Sequence, residues 1–175
     1  MAHSLPNPLP HVHLRAIEPE DLDLLYSIEN DDALWDVGNT SVPYSRYTLH
    51  DYIANATDDI YADGQVRLIV EAPGKQTVGI ADIVNFDPKH RRAELGLVIQ
   101  RQYRRKGYGR SAIARLTDYA LRVLHLHQLY VVVATDNQPC VKLFSSMGFD
   151  ATATLRHWLF DGRSYHDAML LQTIL

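Results

Sequence analysis

The sequence predicts a single α/β domain, a mixed sheet of seven strands with helices on both sides. Three observations carry this. Strands and helices alternate in the second half, as strand–helix–strand–helix–strand–strand, after an N-terminal half of one strand, two helices and two strands. Leu129–Ala134 is an almost unbroken apolar run, the pattern of a central strand buried on both faces. The apolar strand Ala93–Ile99 runs into a cationic, glycine-bearing turn, and an amphipathic helix opens out of that turn. A chain of 175 residues with 46% hydrophobic residues has material for one well-buried domain. We place that domain at 11–175, behind a flexible lead-in at 1–10.

The lead-in, Met1–Pro10, has three prolines and neither the charged start nor the apolar centre of a secretory signal. Val12–Ile17 alternates and reads as the first strand. Pro19 then opens a helix, with Glu20 and Asp21 in the first turn, where the helix dipole favours acids. Leu22, Leu25 and Ile28 follow at helical spacing. Asn30–Tyr44 reads as a loop punctuated by Gly38 and Pro43, with Leu34 and Trp35 as apolar anchors. A second helix is expected at Arg46–Asn55.

Arg67–Glu71 and Thr77–Val84 are β-branched strands joined by the turn Pro73-Gly74. Asp87-Pro88 marks a further turn before the strand Arg91–Ile99. The helix from Gly107 to Leu124 places Ile113, Leu116, Ala120 and Leu124 on one face. A short helix over Asn137–Met147 ends at Gly148, a good C-terminal cap. Ala151–Phe160 and Ser164–Ile174 flank Asp161-Gly162, the strongest hairpin signal in the chain.

Charge is uneven although the net value is only −4. Residues 89–110 hold eight of the 17 Lys and Arg against the single acid Glu94, while residues 18–63 hold 12 of the 21 acids against Arg46 alone. A nucleic-acid binder would spread its positive charge over a long face and carry a high pI. Charge focused at one turn fits a small polyanion instead. No apolar run reaches membrane-spanning length. The single cysteine, Cys140, has no internal partner, so a reducing, cytoplasmic compartment is expected. His11/His13 and His125/His127 are spaced i, i+2 with no acid or cysteine at ligand spacing, and no metal is expected.

Arg104-Arg105-Lys106-Gly107-Tyr108-Gly109 has the makings of a phosphate cradle. Gly107 and Gly109 let the backbone wrap closely around an anion, and the first helical N–H groups face it. Three features then stand in fixed order: Arg-Arg-Ala-Glu-Leu-Gly-Leu-Val-Ile (Arg91–Ile99), the Arg104–Gly109 cradle, and Asn-Gln-Pro-Cys-Val-Lys-Leu-Phe-Ser-Ser-Met-Gly-Phe (Asn137–Phe149). Together they resemble the GNAT N-acetyltransferase superfamily, in particular its ribosomal-protein and spermidine acetyltransferase branches.

The resemblance implies a single GNAT-type domain with a mostly antiparallel seven-stranded sheet and splayed central parallel strands. It also implies acetyl-CoA as co-substrate. The pantetheine arm would pair with the strand ending at Leu97-Val98-Ile99, and the pyrophosphate would sit on Arg104, Arg105, Lys106, Gly107, Tyr108 and Gly109. Asn137 matches a family position that reaches the coenzyme, and Cys140 and Phe144 lie on the same helix. Glu94 matches a family acid that deprotonates the amine, with an ion pair to Arg91 or Arg92 as the bland alternative. Phe144 stands where many relatives carry a tyrosine acid, and it has no proton to give.

The expected acceptor is a primary amine, either a polyamine such as spermidine or a peptide N-terminus. In the family the first helices wall the acceptor cleft, and here they carry Glu29, Asp31, Asp32, Asp36, Asp58, Asp59 and Asp63. These acids would attract a cation, or would be ordinary solvated helix faces. Trp35, Trp158, Tyr165 and His157 would wall the acceptor pocket or serve the core. A non-catalytic acetyl-CoA sensor and an RNA-binding module are the competing functions. The closing hairpin could pair with a second chain, making a homo-oligomer.

Overall fold

A computed structural model describes residues 8–31, 42–57 and 59–175. Leu34, Trp35 and Gly38, with Asp32, Asp36 and Asp58, lie outside the described residues. Seven strands form one sheet: β1 (His13–Ala16), β2 (Val66–Ala72), β3 (Gln76–Asp87), β4 (Arg92–Ile99), β5 (Gln128–Ala134), β6 (Asp150–Phe160) and β7 (Tyr165–Ile174). Their order is β1-β2-β3-β4-β5-β7-β6. Every neighbouring pair is antiparallel except β4 and β5, which are parallel.

Helices cover both sides. α1 (Leu22–Glu29) and α2 (Arg46–Ala54) pack Leu25 and Leu49 on Ile69 of β2 and Ile80 of β3. A short α3 (Ile60–Asp63), absent from the sequence reading, is capped by Asp59, which accepts from the Tyr61 N–H at 2.9 Å. On the opposite side lie α4 (Tyr108–Arg122) and α5 (Gln138–Ser145). Ile113, Leu116 and Ala120 of α4 are fully buried in a core shared with Val70, Ala81, Ile83, Leu129 and Leu171. Burying one such aliphatic side chain contributes about 1.5–3 kcal/mol, so this face fixes α4 against the sheet.

The helix starts follow the chain chemistry. The Ser45 Oγ accepts from the Thr48 N–H at 3.0 Å and starts α2. Before α1, the turn Pro19–Asp21 is a 3₁₀ helix, and the Asp21 carboxylate accepts from the Glu18 N–H at 2.9 Å.

Three expectations need correction. β5 is buried on one face only: Leu129, Val131 and Val133 are in the core, while Tyr130, Val132 and Ala134 are half-buried. Counting alternate residues from Ile80 to Val84, its register partner Glu94, and then Tyr130 puts that open face on the side of α1 and α2. Those helices pack over β2 and β3, which leaves β5 uncovered there. β3 runs past its expected end at Val84 as far as Asp87, by means of a bulge, and the turn expected at Asp87-Pro88 follows it. The end of the lead-in is docked: the Ser111 Oγ donates to the Pro10 carbonyl at 2.6 Å, and Val12 is buried.

The closing hairpin turns through Asp161–Ser164, where Asp161 Oδ1 accepts from the N–H groups of Arg163 and Ser164 at 2.8 Å each. β6 is the outer edge strand and is exposed along most of its length. Among the described residues no helix is long and apolar enough to cross a membrane.

Candidate active site

The site begins where the sheet opens. β4 and β5 share three register pairs, Arg92↔Gln128, Ala93↔Leu129 and Glu94↔Tyr130. Beyond Glu94, β4 continues along β3 to Gly79↔Ile99, and β5 continues along β7 to Ala134↔Ala168. The facing edges of β4 and β5 therefore part, and Leu97, Val98 and Ile99 line one lip, each half-buried. A strand edge without a partner offers an alternating row of N–H and C=O groups, which an extended chain can complete as an added strand.

The N-terminus of α4 follows that lip. Gly107 caps it with φ +89°, and an added Cβ there would stand 2.8 Å from Pro10 Cδ. Gly109 brings the helix start against its neighbours, where a Cβ would meet Leu143 Cδ2 of α5 at 3.2 Å and Leu97 Cδ2 of β4 at 3.8 Å. Tyr108 packs edge-on to Tyr103 with ring centroids 6.1 Å apart. The first N–H groups of this 15-residue helix lack intrahelical acceptors and carry the positive end of its dipole. Arg104, Arg105 and Lys106 are exposed beside them. Arg104 is partly committed, since its Nε donates to the Ile99 carbonyl at 2.8 Å, and the Lys106 ammonium lies 5.8 Å over the Tyr103 ring. A helix start with the chemistry to hold an anion thus stands just past the open strand edge.

Glu94 sits at the vertex of the opening. Its bland alternative does not hold: Arg92 pairs with Asp87 at 3.2 Å, and Arg91 Nε donates to the His125 carbonyl at 2.7 Å. Glu94 instead accepts from Asn85 Nδ2 at 2.8 Å. Its register partner across the parallel pair is Tyr130 of β5. Burial and then the Glu94 charge push the Tyr130 phenol above its ordinary value. Neither Asn85 nor Tyr130 was singled out from sequence. Asn85 stood next to an expected turn, and Tyr130 lay inside an apolar run.

On α5 the expected residues separate. Asn137 Oδ1 caps the helix, accepting from the Cys140 N–H at 3.3 Å. Cys140 is half-buried, and burial pushes its thiol up to about 11. Phe144 is core, 3% exposed and edge-on to Phe149 at 5.1 Å.

Of the acidic side chains expected to wall the cleft, those described are engaged. Glu29 pairs with Arg67, Asp31 with Arg101 at 3.6 Å, Asp63 accepts from Thr57 at 2.9 Å, and Asp59 caps α3. Trp158 and Tyr165, read as pocket wall or core, are 60% and 63% exposed on the closing hairpin. His157 is exposed there with φ +49°, its ring stacked on Tyr165. Among the described residues no three His, Cys, Asp or Glu side chains gather as a metal ion would require.

A parallel pair that parts at an acid, with a cationic helix start past one lip, has the chemistry to seat an acyl-coenzyme A. The profile of the Acetyltransferase (GNAT) domain matches residues 11–150, and the chain belongs to that family. It is an acetyl-CoA-dependent N-acetyltransferase. The chain is 28% identical over 162 residues to the spermidine N(1)-acetyltransferase of Escherichia coli, covering 90% of this chain and 83% of that one. It is 28% identical over 154 residues to the Vibrio cholerae spermidine N(1)-acetyltransferase, covering 88% and 87%. The crystal structure of spermidine N-acetyltransferase from Vibrio cholerae in complex with CoA and spermine superimposes with a TM-score of 0.82 at 27% identity, over 93% of this chain and 95% of that one.

The residues present fit acetyl-CoA. The lip at Leu97, Val98 and Ile99 has backbone groups for an extended arm, and the Arg104–Gly109 turn has amides and cations for a diphosphate. The co-substrate supplies an activated acetyl group.

Proposed function

We propose that this enzyme acetylates a primary amine of a small polyamine of the spermidine type, with Glu94 as the general base. The observation that carries the reading is the setting of Glu94. It stands at the vertex between β4 and β5, held by the neutral Asn85 amide, and among the described residues no Lys or Arg is paired with it. A carboxylate held by neutral donors remains free to take a proton. Its side of the sheet is the side of α1 and α2, which the family resemblance assigns to the acceptor.

In this reading the amine nitrogen attacks the thioester carbonyl, a C–N bond forms and the C–S bond breaks. Glu94 takes the proton that the amine sheds. The leaving thiol is far more acidic than an amine, so the buried Phe144 leaves no essential gap. The polyamine class rests on the spermidine enzymes among the relatives.

The test pairs a variant with an acceptor panel. Glu94→Gln should lower turnover by about 100-fold or more while leaving acetyl-CoA affinity unchanged. Unchanged turnover at neutral pH removes Glu94 from the mechanism. Across the panel, spermidine should exceed an N-terminal alanine peptide. The reverse order would move the acceptor to peptide N-termini.

A further inference from the structure

Three neighbouring strands converge on one carboxylate. Glu94 belongs to β4, Asn85 to β3 and Tyr130 to β5. Val84 pairs with Glu94 and Asp87 with Arg92, so Asn85 and Phe86 together stand opposite the single residue Ala93. This is a β-bulge, a device that re-aims a side chain. Asn85 sits in it at φ +49°, a left-handed conformation that asparagine tolerates better than most residues. The bulge brings Asn85 Nδ2 to 2.8 Å from Glu94 Oε2. From the other flank, Tyr130 stands opposite Glu94 at the last register pair before the strands part, and the Glu94 charge helps to raise its phenol.

We propose that Asn85 and Tyr130 are positioning residues for the reaction, a two-sided clamp that fixes the Glu94 carboxylate toward the gap between β4 and β5. The proposal rests on Glu94 being the base and adds the groups through which it is held. A glutamate has three rotatable side-chain bonds, and at a strand edge without cross-links it would sample several rotamers. The Asn85 amide on one strand removes part of that freedom, and in the proposed clamp the Tyr130 hydroxyl on the other removes the rest. Orientation is worth much to a proton transfer, because only the aligned rotamer reacts. The clamp uses neutral donors alone, so it orients the carboxylate without tying it into an ion pair.

A double-mutant cycle tests this. Tyr130→Phe keeps the ring and removes only the hydroxyl, and Asn85→Ala removes the other donor. Each single variant should lower kcat about tenfold, as expected for losing one hydrogen bond to a charged group. KM for acetyl-CoA and the melting temperature should stay within error. In a Glu94→Gln background the same two changes should have less than about a twofold further effect, because the group they orient no longer acts as a base. If Glu94→Gln alone leaves turnover intact, the base assignment falls and the clamp falls with it. If Glu94→Gln is slow but both donor variants turn over normally, the clamp alone is wrong. If the donor effects multiply fully with Glu94→Gln, or track a lowered melting temperature, Asn85 and Tyr130 serve the fold and the proposal is overturned. Asn85→Asp gives a further check, since it keeps the shape but replaces the donor with a like charge, and it should be at least as slow as Asn85→Ala.

Discussion

Arg67 and Asp82 face each other as register partners on β2 and β3, joined by two parallel hydrogen bonds, Nε to Oδ1 at 2.8 Å and Nη2 to Oδ2 at 3.1 Å. The guanidinium also pairs with Glu29 at the end of α1, so one cation holds two carboxylates and ties the helix to the sheet. Arg67→Met would leave both acids half-buried and facing each other. Breaking a buried pair on one side costs about 3–5 kcal/mol. Solvent reaches these side chains, so a loss of about 2–3 kcal/mol is expected. Urea unfolding should show it as a lower midpoint at unchanged slope.

The cradle should respond to charge and to backbone in different ways. Reversing Arg105 and Lys106 together should weaken acetyl-CoA binding by about tenfold or more at low salt and by less at high salt, because exposed charges are screened. Gly107→Ala should weaken it at both, since φ +89° disfavours a side chain and the new Cβ meets Pro10. Calorimetric titration separates the two, and a loss of affinity on charge reversal that is the same at low and high salt would contradict the assignment.

Cys140 should be a poor nucleophile. With its thiol pushed up to about 11 by burial, it stays protonated near neutral pH and should react with iodoacetamide far more slowly than a free thiol. The sign for stability follows. The unfolded thiol titrates at about 8.5, so above that pH the unfolded chain sheds a proton that the folded chain retains. Stability should fall as pH rises through that interval toward about 11, and the difference between the native chain and Cys140→Ala should isolate the contribution.

Asp21 predicts the opposite limb. Burial alone would raise its carboxyl, but hydrogen bonds from Arg15 and from the Glu18 N–H outweigh this and hold it below the usual range. Its contribution is present above the unfolded value of about 3.9 and is lost as pH falls through the lower folded value. Arg15→Gln should shift acid unfolding, followed by far-ultraviolet circular dichroism, to higher pH.

The fold was largely legible because its signals are local. β-branched runs, Pro19 at a helix start and Gly107 ahead of an amphipathic run each act within one turn of chain. The open strand edge and the glycine-bearing helix start after it were legible for the same reason, since Leu97–Gly109 is contiguous. The surroundings of Glu94 were not, because Asn85 comes to it from nine residues earlier on β3, and Tyr130 is set opposite it only by the pairing of β5. A bulge leaves little trace in composition, and a tyrosine among valines looks like core. The acids of the N-terminal half were only partly legible, because counting charge does not reveal that Arg67 and Arg101 pair with two of them.

Three shared rungs join the leaf β1–β4 to the leaf β5–β7–β6, with α4 strapped across the seam. A guest that bonded along the free lip of β4 would become a temporary eighth element bracing the two leaves. Amide hydrogens from Leu95 to Ile99 should then exchange more slowly in its presence, and heat tolerance should climb with the logarithm of its concentration. The gap proposed for the chemistry is also the seam with the fewest rungs in the sheet, and a co-substrate seated there would close it.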